Sequence, residues 1–198
     1  MSIREFSAPR VSRDEITGYL GTRVTEGLSE RIDKCLEIAM PMLSYRVCFS
    51  EYPITVTDDK VDFGFTKAVS RNLAKRLSGC SSAIIFVATV GIGIDRLMSR
   101  YSVTSPADAL IISAIGNERI EALCDAFCDE TAKIEAERGR CVCQRFSPGY
   151  GDLDLSFERE IFNVMPISAS IGVTLSDSLL MTPVKSVSAI IGIKLGEK

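Results

Sequence analysis

The run Arg145-Phe146-Ser147-Pro148-Gly149-Tyr150 sets a guanidinium, a position without a side chain and a phenol within six residues. The planar N–H fork of an arginine matches a carboxylate. Pro148 fixes one backbone dihedral, and Gly149 lets a ligand come close to the main chain. Such a loop suits the amino-acid end of a small molecule, with Tyr150 over its body. Taken alone, the six residues fit a plain Pro-Gly turn with a surface arginine better, so the flanking elements must decide.

The other chemistry-bearing residues are seven cysteines, Cys35, Cys48, Cys80, Cys124, Cys128, Cys141 and Cys143. An odd set with no export signal suits free thiols in a reducing compartment. Cys124 and Cys128 share a helical face, and Cys141 and Cys143 would share a strand face. Four thiolates would suit zinc if helix end and strand met, but the spacing lacks C-x-x-C knuckles. Buried small hydrophobes are the better account of them. The chain has no His, which excludes a His general base, a Ser-His-Asp triad and a His-liganded metal within it. Any reactive chemistry then belongs to a cofactor or a partner.

At 198 residues, 46% hydrophobic and 25% charged, the chain can bury a substantial core. A net charge of −3 without a basic block argues against nucleic acid as a partner. No apolar run reaches membrane-spanning length, and the start MSIREFSAPR lacks a secretory apolar region, so a cytoplasmic location without membrane attachment is expected.

The elements that must position the loop follow from periodicity. Residues 12–21 and 27–40 read as helices, the second with Leu28, Ile32, Cys35 and Ala39 on one face. Residues 44–65 read as strands with a turn at Asp58-Asp59, and 66–77 as a helix presenting Val69, Leu73 and Leu77. The apolar run Ala83–Ala88 suits a central strand. Gly91-Ile92-Gly93 follows it into a helix; without a third glycine, a ribose acid or a Walker lysine, a tight turn explains this junction better than a nucleotide site. Ser105-Pro106-Ala107-Asp108 starts a long helix to about 137, with Ser105 as its cap. Its buried side carries Ile112, Ile115, Arg119 and Phe127, with Asp125 beside it; Glu118, Glu121, Asp129 and Glu130 read as a solvated face. A strand at Cys141–Arg145 feeds the loop, Ser156 caps a short helix ending before Pro166, and strands at Ile171–Leu175 and Ser186–Ile193 close the chain. The order of elements lacks a regular βαβ repeat, which predicts an α+β fold.

The C-terminal half carries several ordered motifs. R-F-S-P-G-Y-G at 145–151 is followed by I-G-V-T-L-S-D-S-L-L-M-T-P at 171–183 and K-S-V-S-A at 185–189, and the long helix carries L-C-D-A-F at 123–127. Over about residues 105–193 the chain resembles the activation domain of cobalamin-dependent methionine synthase; residues 1–104 match only loosely, in the manner of free-standing versions of that domain. The resemblance implies an α+β fold with a mixed or antiparallel twisted sheet, a long central helix and flanking helices. It divides the chain into an N-terminal helical and strand part, 1–104, packed on the same domain as an S-adenosylmethionine-binding part, 105–198.

The resemblance further implies a reactivation subunit that supports methylation of cobalamin after oxidation to the inactive cob(II)alamin state. The cobalamin would sit on a partner methionine synthase chain, with flavodoxin or another electron donor as a second partner. Arg145 matches the arginine that holds the carboxylate of S-adenosylmethionine, Ser147 a position offering main-chain contacts, Gly149 the close-approach glycine and Tyr150 the binding tyrosine. Asp125 matches an acid, usually Glu, near the donor. Two features depart from the pattern: Gly139 stands where the family has a second acid, and no match to a further tyrosine beyond the S-V-S strand is found up to Lys198. Those departures motivate the alternative of a docking module that completes a corrinoid protein assembly without binding the methyl donor.

Overall fold

The computed structural model describes residues 1–22 and 25–196. The first half contains β1 (Ser2–Phe6), α1 (Arg13–Leu20), α2 (Glu26–Ala39), β2 (Tyr45–Pro53), β3 (Thr55–Thr57), β4 (Lys60–Asp62), β5 (Lys67–Val69), α3 (Arg71–Arg76), β6 (Ser82–Thr89) and α4 (Gly93–Thr104). The second contains α5 (Pro106–Glu137), β7 (Arg140–Val142), α6 (Phe157–Val164), α7 (Ile167–Ile171), β8 (Thr174–Leu175), β9 (Met181–Thr182) and β10 (Ser186–Leu195).

β6 is the middle strand of an antiparallel sheet ordered β1-β2-β6-β10-β7, paired along both edges, and its apolar run is buried because helices cover both faces of that sheet. Side chains alternate across a strand. Ile84, Phe86 and Ala88 therefore enter one core with α1, α2, α4 and α5, while Ala83, Ile85 and Val87 enter another with α3, α6 and α7. β10 divides in the same way, sending Ala189, Ile191 and Ile193 to the first core and Ile190 to the second. The expected α+β architecture is what forms: an antiparallel sheet with a 32-residue helix along one face.

That helix, about 48 Å long at the usual rise, is covered on more sides than its periodicity indicates. Phe127 meets Phe86, Phe49 and Phe6 at ring-centroid distances of 4.8, 5.1 and 6.4 Å. Glu118, expected on the solvated face, is fully buried and ion-paired with the equally buried Arg119. Arg119 donates to the carbonyls of Pro9 (2.6 Å) and Arg10 (2.7 Å), and Glu118 accepts from the Ser12 amide at 2.9 Å. The pair thus clamps the link between β1 and α1 onto α5, and this second layer is what buries Glu118.

Several boundaries and caps differ from the expected ones. The strand expected at Cys141–Arg145 is β7, Arg140–Val142, because only that stretch pairs with β10 as a ladder. Residues 66–77 split into β5 and the short α3, so Val69 lies exposed on a strand. Ser70 caps α3 by accepting from the Leu73 amide at 3.0 Å, and this stops any earlier helical start. The strand expected at Ile171–Leu175 is α7 up to Ile171, a reversal at Gly172 and only then β8. Neither Ser105 nor Ser156 caps its helix through the side chain: Ser105 Oγ accepts from Arg31 (3.1 Å), and Asp154 accepts from the Ser156 amide (2.7 Å). At the Gly91–Gly93 junction, Gly93 backs directly on the Met42 carbonyl, so close packing explains that glycine. Among the described residues no helix is long and apolar enough to cross a membrane.

Candidate functional site

The loop after β7 is held at both ends. At its start, Cys143 donates to the Gly192 carbonyl (2.8 Å), and Phe146 and Ile190 exchange two backbone bonds of 2.8 and 2.9 Å. The loop then folds on itself, with Tyr150 N–H on the Ser147 carbonyl (3.2 Å) and Gly149 N–H on the Leu153 carbonyl (2.9 Å). Gly149 has φ +84°, a left-handed value that side-chain-bearing residues rarely take. At the far end Asp152 accepts from the Ser70 hydroxyl and from the amides of Arg71 (2.8 Å) and Asn72 (3.2 Å). The loop is therefore pinned to β10 on one side and to the start of α3 on the other.

Between this loop, α5, α6 and β10 lies a cleft of about 450 Å³. Arg145, Ser147 and Tyr150 line it, together with Glu121, Pro148, Met181 and the Ser186–Ser188 edge of β10. Arg145 Nη2 donates to Glu121 Oε2 at 2.5 Å and reaches Asp125 Oδ1 at 3.3 Å. Burial disfavours the Arg145 charge, but the hydrogen bond to Glu121 and the fields of Glu121 and Asp125 outweigh it and hold the guanidinium above its ordinary range. Tyr150 is 68% exposed.

Of the five residues singled out in the sequence, three line the cleft. Asp125 touches Arg145 from outside the lining, and Gly149 lies in the turn behind it. Glu121, expected on the solvated face, is half-buried because the Arg145 side chain covers it. Its spacing of four residues from Asp125 puts both acids on one face of α5, which is the signal that points to it.

Glu158 was not indicated by any motif. It is 3% exposed, lies on α6, and its Oε1 accepts from Ser188 Oγ at 2.6 Å. Burial raises its pKa above the ordinary carboxylate value, and the Ser188 bond offsets part of that rise. The signal for it was available: Glu158, Ile161 and Met165 share one helical face, so an acid occupies an apolar position.

Lys185, also buried, donates to Asn117 Oδ1 (2.6 Å) and Ser113 Oγ (3.1 Å) and so fastens the start of β10 to α5. Gly139 has φ +70° and ends α5 with its amide on the Ala136 carbonyl (3.0 Å), a left-handed helix stop that accounts for glycine at this position. Cys143 faces Cys80 with sulfurs 3.5 Å apart; among the described residues no three Cys, Asp or Glu side chains meet in a metal-holding group.

Comparison with known proteins agrees with this architecture. A crystal structure titled as the MetH reactivation domain bound to AdoHcy superposes with a TM-score of 0.66 at 15% sequence identity, covering 100% of this chain and 80% of that one. No curated protein matches the chain in sequence. Residues 66–195, about two thirds of the chain, match the family described as "Vitamin B12 dependent methionine synthase, activation domain". The chain therefore belongs to the activation-domain family of vitamin B12-dependent methionine synthase.

Proposed function

We propose that the cleft binds S-adenosylmethionine and that the chain is the reactivation unit of a cobalamin-dependent methionine synthase. The observation that carries this reading is Arg145, held by Glu121 and Asp125 at the mouth of a cleft also lined by Ser147 and Tyr150. The acids engage Nη2, the nitrogen shared by both bidentate edges of the guanidinium, so Nε and Nη1 remain as single N–H donors for a ligand carboxylate. Asp125 and Glu121 beside it suit the ammonium on the same ligand carbon. Ser147 offers main-chain contacts, Gly149 shapes the turn behind it, and Tyr150 covers the ligand's body. AdoHcy in the similar reactivation domain supports the ligand class. Bound S-adenosylmethionine supplies a methyl group for cobalamin held on a partner methionine synthase chain, with flavodoxin or another donor supplying the electron.

Calorimetric titration with S-adenosylmethionine tests the reading on wild type and Arg145→Ala. A charge-assisted contact contributes about 1.5–3 kcal/mol, so the variant should bind at least about tenfold more weakly. Tight binding untouched by the substitution sinks the residue assignment.

The second reading, a docking module that does not use the methyl donor, is favoured by the same ion pairs, since they already engage Arg145, and by Gly139 at the position of the family's second acid. Co-purification with a corrinoid protein, together with no binding of S-adenosylmethionine at millimolar concentration, selects this reading.

A further inference from the structure

The cleft holds a second acid that the Arg145 end does not use. Glu158 Oε1 is bonded to Ser188, while Oε2 is buried without a hydrogen-bond partner among the described residues, and both residues line the cleft. A buried carboxyl oxygen left bare is destabilising unless something else supplies its partner.

The position of Glu158 says which end of a ligand it meets. Arg145, Glu121 and Asp125 gather on the α5 side of the sheet, whereas α6 packs into the opposite core through Phe157 and Ile161. The carboxylate and ammonium of an amino acid share one carbon, so both stay at the α5 side. The acid across the β10 edge is left for the nucleoside end.

That edge is open to a ligand. Ile190 turns both backbone groups toward Phe146, and the two-residue alternation of a strand turns those of Ser188 the same way. β7 pairs with Ile193–Leu195, so among the described residues no strand covers Ser188 there. Glu158 has one oxygen to give, which suits a single N–H donor, whereas a ribose diol takes both carboxyl oxygens. Phe146, Val187 and Met181 supply apolar walls for a flat heteroaromatic ring.

We propose that Glu158 is the base-recognition residue of this cleft, its free carboxyl oxygen accepting a hydrogen bond from the exocyclic amino group of an adenine. The proposal rests on the reading of the cleft as an S-adenosylmethionine site. A site built to bond an amino group rejects a ligand with a carbonyl in its place, because one buried acceptor then faces another.

Calorimetric titration with S-adenosylhomocysteine and its 6-oxo counterpart, S-inosylhomocysteine, tests it on wild type, Glu158→Gln and Glu158→Leu. Wild type should prefer the adenine ligand by about tenfold or more. Glu158→Leu should lose about tenfold on the adenine ligand and most of the preference, and Glu158→Gln, which keeps an acceptor oxygen, should retain much of it. Wild-type affinity and preference in Glu158→Leu overturn the proposal alone, as does a wild type that binds both ligands equally. A wild type that binds neither overturns the function reading as well. Should Glu158→Leu fail to fold, the wild-type ratio of the two affinities still decides.

Discussion

Arg145 and Glu121 meet at 2.5 Å across the gap between the cleft loop and α5, and Asp125 stands one helical turn along at 3.3 Å. The contact aims the guanidinium while leaving most of its donors unspent. A lysine would keep the charge but lose the fork. Arg145→Lys should therefore bind S-adenosylhomocysteine about tenfold or more weakly than wild type in calorimetry. Unchanged affinity would remove the role of the directed N–H donors and keep only a simple charge contact.

The buried Glu118–Arg119 pair predicts an asymmetric effect on stability. Removing one partner strands the other charge in the core, which typically costs about 3–5 kcal/mol. Glu118→Ala should lose that amount in urea unfolding, while Glu118→Leu combined with Arg119→Met should recover a large part of it. A single substitution costing less than about 1 kcal/mol would show that the clamp on residues 9–12 is solvated in solution.

Glu158 also sets a pH dependence. Its folded pKa is raised by burial, so between about pH 4.5 and that raised value the folded chain holds a proton that the unfolded chain has released. Its contribution to stability is therefore full below about pH 4.5 and is lost as the pH rises through the folded value. Glu158→Gln should abolish this loss, so melting temperatures measured from pH 4 to pH 8 should fall less in the variant than in wild type.

The thiols should separate by reactivity. Burial pushes Cys80 up to about 12 and Cys35 and Cys128 to about 11, and holds the fully buried Cys124 higher still. Alkylation of the native protein at pH 8, followed by peptide mass spectrometry, should label the partly exposed Cys141 and Cys143 first. Cys124 should label only on unfolding, and early labelling there would mean that α5 opens locally.

Strong, simple periodicity was legible in the sequence. α2, β6 and α5 emerged with nearly their observed limits because each presents an apolar pattern long enough to outweigh local exceptions. The motif loop also showed its arginine and tyrosine. What a single helix cannot show is what covers its polar side: Glu118 lies under the β1–α1 link, and Glu121 lies under Arg145, a residue 24 positions away. Short elements failed for a related reason, since side-chain caps and reversals at Ser70 and Gly172 overrule patterns only a few residues long. Glu158 was missed because an acid in a helix is usually surface decoration, and its burial depends on β10, which lies some thirty residues later.

The interleaving of the sheet bears on how this chain can be cut. β6 is paired on one side by β2, from Arg46↔Thr89 to Pro53↔Ser82, and on the other by β10. A fragment limited to the family-matching residues 66–195 would keep the cleft loop yet strip β1 and β2 from the sheet. The most apolar strand of the molecule would then present a bare row of amides and carbonyls, a template for joining other chains. Such a truncation should express as aggregates, whereas one retaining residues 1–65 should stay dispersed in light scattering.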